Sequence, residues 1–252
     1  MKAVALAFLM SVAAGAQPRI ILVGDSTMAE KSGYGPGFCA IVQANATCLN
    51  MAKGGRSTSS YRAEGSWDVV MHKLETGASD TWVLIQFGHN DQPGKPGRST
   101  DLATEFPANL RRYIDEVKAA GARPVLVTPL TRRSFRDGQL KDTLGPWADA
   151  ATKVASETGV PLLDLHTESM AAIQKMGAPE ANSLAMAPPP AVVSEAAAAG
   201  NSPAVPKPEV ADPNAPVFDY THLGAKGSAF FGRMVAGELT EAVPALKPYL
   251  AR

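Results

Sequence analysis

Two cysteines, few aromatic residues and no surplus charge set the first limits on this chain. Its 24 Lys+Arg residues balance 24 Asp+Glu, so it carries no cationic footprint for nucleic acid. Two cysteines with no histidine nearby do not make a zinc pattern. No apolar run approaches the length of a membrane span. What remains is an ordinary globular composition, 45% hydrophobic over 252 residues, enough for one large domain or two small ones.

The opening stretch, "MKAVALAFLMSVAAGA", has an early lysine, an apolar run and a small-residue ending. That is the layout of a secretory signal over residues 1–16, leaving 17–252 as the mature domain and placing the protein outside the cell or in a periplasm. In such an oxidising compartment Cys39 and Cys48 are able to pair, closing a short loop worth ~2–3 kcal/mol. Two buried thiols fit the sequence equally well.

Short apolar segments at 19–24, 46–50, 81–88, 123–129 and 160–165 read as strands, the third and fourth nearly continuous runs of strand formers. Such runs suit a parallel sheet covered on both faces. Between them lie helical patterns. In one, Leu110, Tyr113, Ile114 and Val117 share a stripe that stops at Gly121. Another spans 145–159, opened by Pro146 and closed by Gly159, and a last helix runs from about Ala225 to Leu239. Strands alternating with helices imply right-handed crossovers and a doubly wound sheet, whose ligands bind at the carboxyl ends of its strands. Residues 177–216, rich in alanine and proline, break the pattern and read as a mobile insertion.

The strand ends carry the chemistry. After the first comes "GDSTMA", where Gly24 permits a sharp turn and Ser26 falls near the start of a helix, its N–H and the helix dipole facing an oxyanion. Helix capping alone would also explain a serine there. After the second comes "NMAKGGRSTSSY", whose Gly54 and Gly55 can present bare N–H groups. After the third comes "FGHNDQPG", where Asn90 can donate an amide hydrogen while His89 and Asp91 brace the loop. His89 is also a rival base, and a metal role for His89 and Asp91 lacks further clustered ligands. Late in the chain "VFDYTHLGAKGS" offers Asp219 three residues before His222. A neutral imidazole there can take the Ser26 proton while Asp219 holds its orientation.

Taken together, "GDSTMA", "KGGRSTSSY", "FGHND" and "DYTHLGAKGS" resemble the four blocks of the SGNH (GDSL) hydrolase superfamily, and within it the rhamnogalacturonan acetylesterase branch most closely. The blocks span residues 24–228. The resemblance implies a flavodoxin-like three-layer α/β/α fold on a five-stranded parallel sheet. It implies Ser26 as nucleophile, Asp219 and His222 as the base pair, and an oxyanion hole of the Ser26 and Gly55 N–H groups with Asn90. It implies no metal and no organic cofactor. The substrate it implies is an acetylated plant cell-wall polysaccharide of the rhamnogalacturonan or pectic class.

Rivals within the mechanism are a xylan acetylesterase and a lipase or thioesterase. The low aromatic content, 6%, and the lack of a long apolar hairpin argue mildly against an acyl groove. A non-catalytic carbohydrate-binding protein would be expected to lack one catalytic member, and none is missing. A flavin- or nucleotide-binding role rests on topology alone. Lys53 and Arg62, flanking Gly55, are candidate contacts for a galacturonate carboxylate, whereas Arg56 is better read as holding the glycine loop.

Overall fold

The computed structural model describes residues 17–206 and 215–251; the proposed signal segment lies outside the described residues. Five parallel strands build the sheet: β1 (Arg19–Gly24), β2 (Thr47–Asn50), β3 (Thr81–Gln86), β4 (Arg123–Val127) and, after a two-stranded hairpin β5 (Phe135–Arg136) and β6 (Gln139–Leu140), β7 (Leu162–Leu163). Their order is β2-β1-β3-β4-β7. The chain steps outward from β1 in both directions, so the strand order reverses between β1 and β3, where open α/β sheets leave a crevice.

Alternation along each strand divides two apolar layers. Ile20 and Leu22 face α1 (Gly35–Cys39), α6 (Leu165–Asn182) and α8 (Ala225–Ala242) through Phe38, Ile173, Phe231 and Val235. Ile21 and Val23 face α3 (Ser66–Leu74), α4 (Glu105–Ala119) and α5 (Gly145–Thr158) through Trp67, Leu110, Tyr113 and Val154. Both faces of the sheet are covered, which is why β3 and β4 read as nearly continuous runs of strand formers. The fold is the expected three-layer α/β/α.

Cys39 of α1 and Cys48 of β2 form a disulfide with Cα atoms 5.4 Å apart. Replacing both by serine should lower stability by ~2–3 kcal/mol through the freed loop entropy of the unfolded chain. The check is a urea titration, where the midpoint should fall. An unchanged midpoint would mean the bond is energetically silent.

The reading of 177–216 needs correction. Helix α6 continues through a kink at Gly177 (φ 74°) to Asn182, and α7 (Ala191–Ala198) follows. Ala178, Ala181, Leu184, Val193 and Ala197 are buried. Small side chains bury little area each, but they let backbones approach closely, and that is how this segment packs. A Cβ at Gly227 would lie 2.4 Å from the Leu184 carbonyl oxygen, and one at Gly224 2.5 Å from that of Ala185. The glycines after His222 therefore admit the alanine-rich segment against the start of α8. Residues 207–214 of the stretch lie outside the described residues.

Candidate active site

Ser26 sits two residues beyond β1, in a turn rather than at a helix start. Asp25 closes that turn: its carbonyl accepts from Met28 and Ala29 N–H at 3.2 and 3.0 Å. Its carboxylate accepts from the Thr27 N–H and hydroxyl at 2.9 and 2.8 Å. The first helix begins only at Gly35, so the expected helix dipole at Ser26 is absent. Gly24 is required for another reason than turning. A Cβ there would meet the Gln86 carbonyl oxygen at 2.6 Å, because β1 and β3 pair Gly24 with Gln86. Behind the turn, Tyr34 donates to the Gln86 side-chain oxygen, and the Gln86 amide donates to Thr27 at 2.7 Å. This buried network holds the Ser26 backbone in place.

The glycine loop after β2 is tied to the same turn by Lys53 N–H donating to the Gly24 carbonyl at 2.9 Å. Gly55 takes φ 78°, a left-handed conformation that side chains rarely adopt. Arg56 clamps the loop as expected, donating to the Gly54 carbonyl at 2.6 Å and to Glu64 at 2.8 Å. The N–H groups of Ser26 and Gly55 donate to no described residue. Unpaired amides beside a cavity are uncommon, and they suit a developing negative charge.

After β3, His89 and Asp91 brace Asn90 from opposite sides. Asp91 accepts from the Thr58 N–H and hydroxyl, the Thr100 hydroxyl and the Gly88 N–H, at 2.5 to 3.1 Å. Burial pushes its carboxyl up to about 6 despite those donors. His89 Nδ1 lies 3.4 Å from Asp25, both side chains nearly inaccessible. Burial holds the His89 imidazole below its ordinary value. Burial also works to raise Asp25, but the nearby His89 and the hydrogen bonds from Thr27 prevail and leave its carboxyl below the usual range. The two residues thus reach separate partners, His89 into the Ser26 turn and Asp91 into the glycine loop. Between them the Asn90 amide is oriented: its nitrogen donates to the Arg56 carbonyl at 3.1 Å, and its oxygen accepts from Lys95 at 3.4 Å.

The late segment is built around Asp219. One carboxylate oxygen accepts from the Thr221 and His222 N–H groups, both at 2.6 Å, and the other meets His222 Nδ1 at 2.6 Å. Burial alone would raise the Asp219 carboxyl, yet its bonds to His222 and these amides hold it down to about 2. With Nδ1 occupied, His222 Nε2 is the nitrogen left for chemistry. Leu223 N–H donates to the Ser32 carbonyl at 2.9 Å, joining this segment to the turn that carries Ser26. Ser26, Gly54, Gly55, Asn90 and His222 line one cavity of about 410 Å³. The Ser26 hydroxyl and His222 share this cavity without a hydrogen bond between them.

Residues 22–230 match the GDSL-like Lipase/Acylhydrolase family. The chain belongs to that family. A rhamnogalacturonan acetylesterase of Bacillus subtilis (strain 168), RhgT, is 31% identical over 92% of this chain and 94% of its own length. A rhamnogalacturonan acetylesterase of Emericella nidulans is 26% identical over 73% of this chain and 81% of its own. The solved acetylxylan esterase Axe2 of Geobacillus stearothermophilus superposes with a TM-score of 0.58 at 16% identity, covering 89% of this chain and 95% of that one. That likeness shows the fold.

Against the GDSL framework, two of the residues flanking Gly55 need reassignment. Arg62 does not reach the cavity: it donates to both Glu116 oxygens at 2.7 and 3.0 Å. Its guanidinium also stacks 4.9 Å from the Tyr113 ring centroid. Its neighbourhood is the α2 (Ser60–Ala63) to α4 contact, so it is structural. Lys53 is half exposed and lies 3.7 Å from Glu64, outside the cavity lining. The cations that do line the cavity are Lys95, Arg98 and Arg132. Lys95 and Arg98 follow Asn90 in "QPGKPGRS", and Arg132 follows β4 in "LTRRSF". Their signal in the sequence is position, two in the loop after the third strand and one just after the fourth.

Proposed function

We propose that this GDSL-family chain is an exported serine esterase that removes O-acetyl groups from a pectic polysaccharide. Ser26 Oγ attacks the acetyl carbonyl carbon as His222 Nε2 takes the hydroxyl proton, and Asp219 remains ionised to stabilise the imidazolium. The tetrahedral oxyanion accepts hydrogen bonds from the Ser26 and Gly55 N–H groups and the Asn90 amide. Its collapse breaks the bond to the sugar oxygen, which leaves with the proton from His222. Water then attacks the acetyl-enzyme by the same steps, releasing acetate and free Ser26.

The observation that carries this reading is the 2.6 Å Asp219–His222 contact in the same cavity as Ser26, Gly55 and Asn90. The character of that cavity supports a small acyl group. Its described lining is serine, glycine, threonine, histidine, asparagine and three cations, with no apolar side chain to receive a long chain. The cations support an anionic polymer, since galacturonate units carry a carboxylate and an undecorated xylan backbone does not. The named pectic acetylesterases among the relatives point the same way. The Cys39–Cys48 bond supports export to an oxidising compartment.

The experiment is acetate release from acetylated pectin and acetylated xylan by the parent, Arg98→Ala and Arg132→Ala. The parent should prefer pectin. A lost charge-assisted contact of ~1.5–3 kcal/mol would cut kcat/KM on pectin roughly ten- to hundredfold. Turnover of 4-nitrophenyl acetate should hardly change. Equal losses on all substrates would show that the arginines support the loops and carry no preference for a charged polymer.

A further inference from the structure

Arg133 is fully buried, with a guanidinium that reaches no solvent. Burying a cation is costly unless its hydrogen bonds are met. Here both terminal nitrogens are met by one short stretch of backbone, while Nε has no hydrogen-bond partner among the described residues. Its side chain donates to the carbonyls of Asp219 and His222, both at 2.9 Å, and of Thr221 at 3.1 Å. Its own main-chain N–H donates to the remaining carbonyl, that of Tyr220, at 2.8 Å. All four consecutive carbonyls of "DYTH" therefore accept from a single residue. Burial pulls the guanidinium down to about 10, with the Asp219 charge working the other way, so it stays a cation at neutral pH.

We propose that Arg133 is the positioning residue of the catalytic base: it sets the Asp219–His222 segment from beneath so that the imidazole faces Ser26. The inference rests on His222 being the base proposed above. Two features single out this role from ordinary packing. First, the segment has its two sides pinned by different groups, the Thr221 and His222 N–H groups by Asp219 and the carbonyls by Arg133. Neither set alone fixes the peptide planes that carry the imidazole. Second, Arg133 stands on the segment leaving β4, the same segment that sends Arg132 to the cavity. The sheet's carboxyl edge is thereby coupled directly to a segment that arrives from the far end of the chain. Only a planar fork offers several donors in fixed directions to spread carbonyls; an ammonium is a single point.

The test uses Arg133→Met and Arg133→Lys in the full chain, with folding verified by near-ultraviolet circular dichroism. Activity is read on 4-nitrophenyl acetate, which needs no polymer contacts. Misplacing a reacting group by about 1 Å can cost ~10²-fold, so Arg133→Met should lose that much in kcat with KM nearly unchanged. Arg133→Lys should recover part of it. The decisive comparison repeats both substitutions in a His222→Ala background. Acting through His222, they should then have little further effect on the residual rate. If Arg133→Met does not fold, Arg133→Lys carries the comparison. Near-parental kcat overturns the proposal, as does an equal loss in both backgrounds, and failure of both variants to fold assigns Arg133 to stability instead. Normal turnover by His222→Ala alone would sink the base assignment, whichever way Arg133 behaves.

Discussion

Ser26→Ala and His222→Ala should each lower kcat by ~10⁴-fold or more, and the double variant should be little worse than either. The near-identity of the three losses is the informative part. A nucleophile without its base, or a base without its nucleophile, leaves the same residue of catalysis, supplied by the oxyanion donors and binding alone. Independent contributions would multiply instead. The structure also supplies the rival. His89 lines the same cavity and faces Asp25, so the cavity holds two histidines, each beside an aspartate. The two differ in access: the His222 side chain is 34% exposed and that of His89 3%. A base must reach the hydroxyl proton and then deliver it to a leaving group, and an imidazole buried against a carboxylate is badly placed for that traffic. Single-turnover and steady-state kinetics on an acetyl ester decide between them. Loss of turnover in His89→Ala with retention in His222→Ala would transfer the role to the buried pair.

The sheet was legible because burial on both faces writes itself into β1, β3 and β4 as runs of Ile, Leu and Val. β7 is shorter than its segment suggested, Leu162–Leu163 within 160–165, and pairing geometry, invisible to composition, decides such lengths. The hairpin of β5 and β6 went unread, since two-residue strands leave no periodicity. The alanine-rich segment misled for a physical reason. Its packing depends on glycines in a distant part of the chain, Gly224 and Gly227, that let it approach α8. No local measure of hydrophobicity records that.

Among the proposed site residues, those that meet through short local geometry are the ones the sequence exposes. Asp219 and His222 lie three apart and contact directly, and the glycine pair and Asn90 sit where strands end. Arg62 failed because nearness in sequence to Gly55 is not nearness in space. The helical turn that follows carries it away to Glu116. Arg133 was missed because its meaning depends on a segment some ninety positions away. Long-range backbone contacts of that kind become visible only once the chain is folded.

Asn90→Ala should reduce kcat by ~10²–10³-fold while leaving KM on a small acetyl ester almost unchanged, the scale expected for one lost oxyanion donor, ~2.7–4 kcal/mol. Two effects compete in that substitution, and their sizes separate them. In the resting structure the Asn90 amide donates to the Arg56 carbonyl at 3.1 Å and accepts from Lys95 at 3.4 Å, each bond worth ~1 kcal/mol to stability. The glycine loop keeps its other ties, from Arg56 to Gly54 and from Asp91 to Thr58. The loop thus keeps its shape without these two ground-state bonds, and their loss alone does not explain a hundredfold fall in turnover. The second amide hydrogen, stronger partner to an oxyanion than to a neutral carbonyl, is what the transition state loses. Asn90→Asp sharpens the test, because it preserves shape while setting a negative charge against the developing one. It should be at least as slow as the alanine variant. Stability measured alongside should fall by no more than these two bonds imply. If Asn90→Ala turns over within a few-fold of the parent, the Asn90 side chain is bracing the loop, and the oxyanion rests on the Ser26 and Gly55 N–H groups without it.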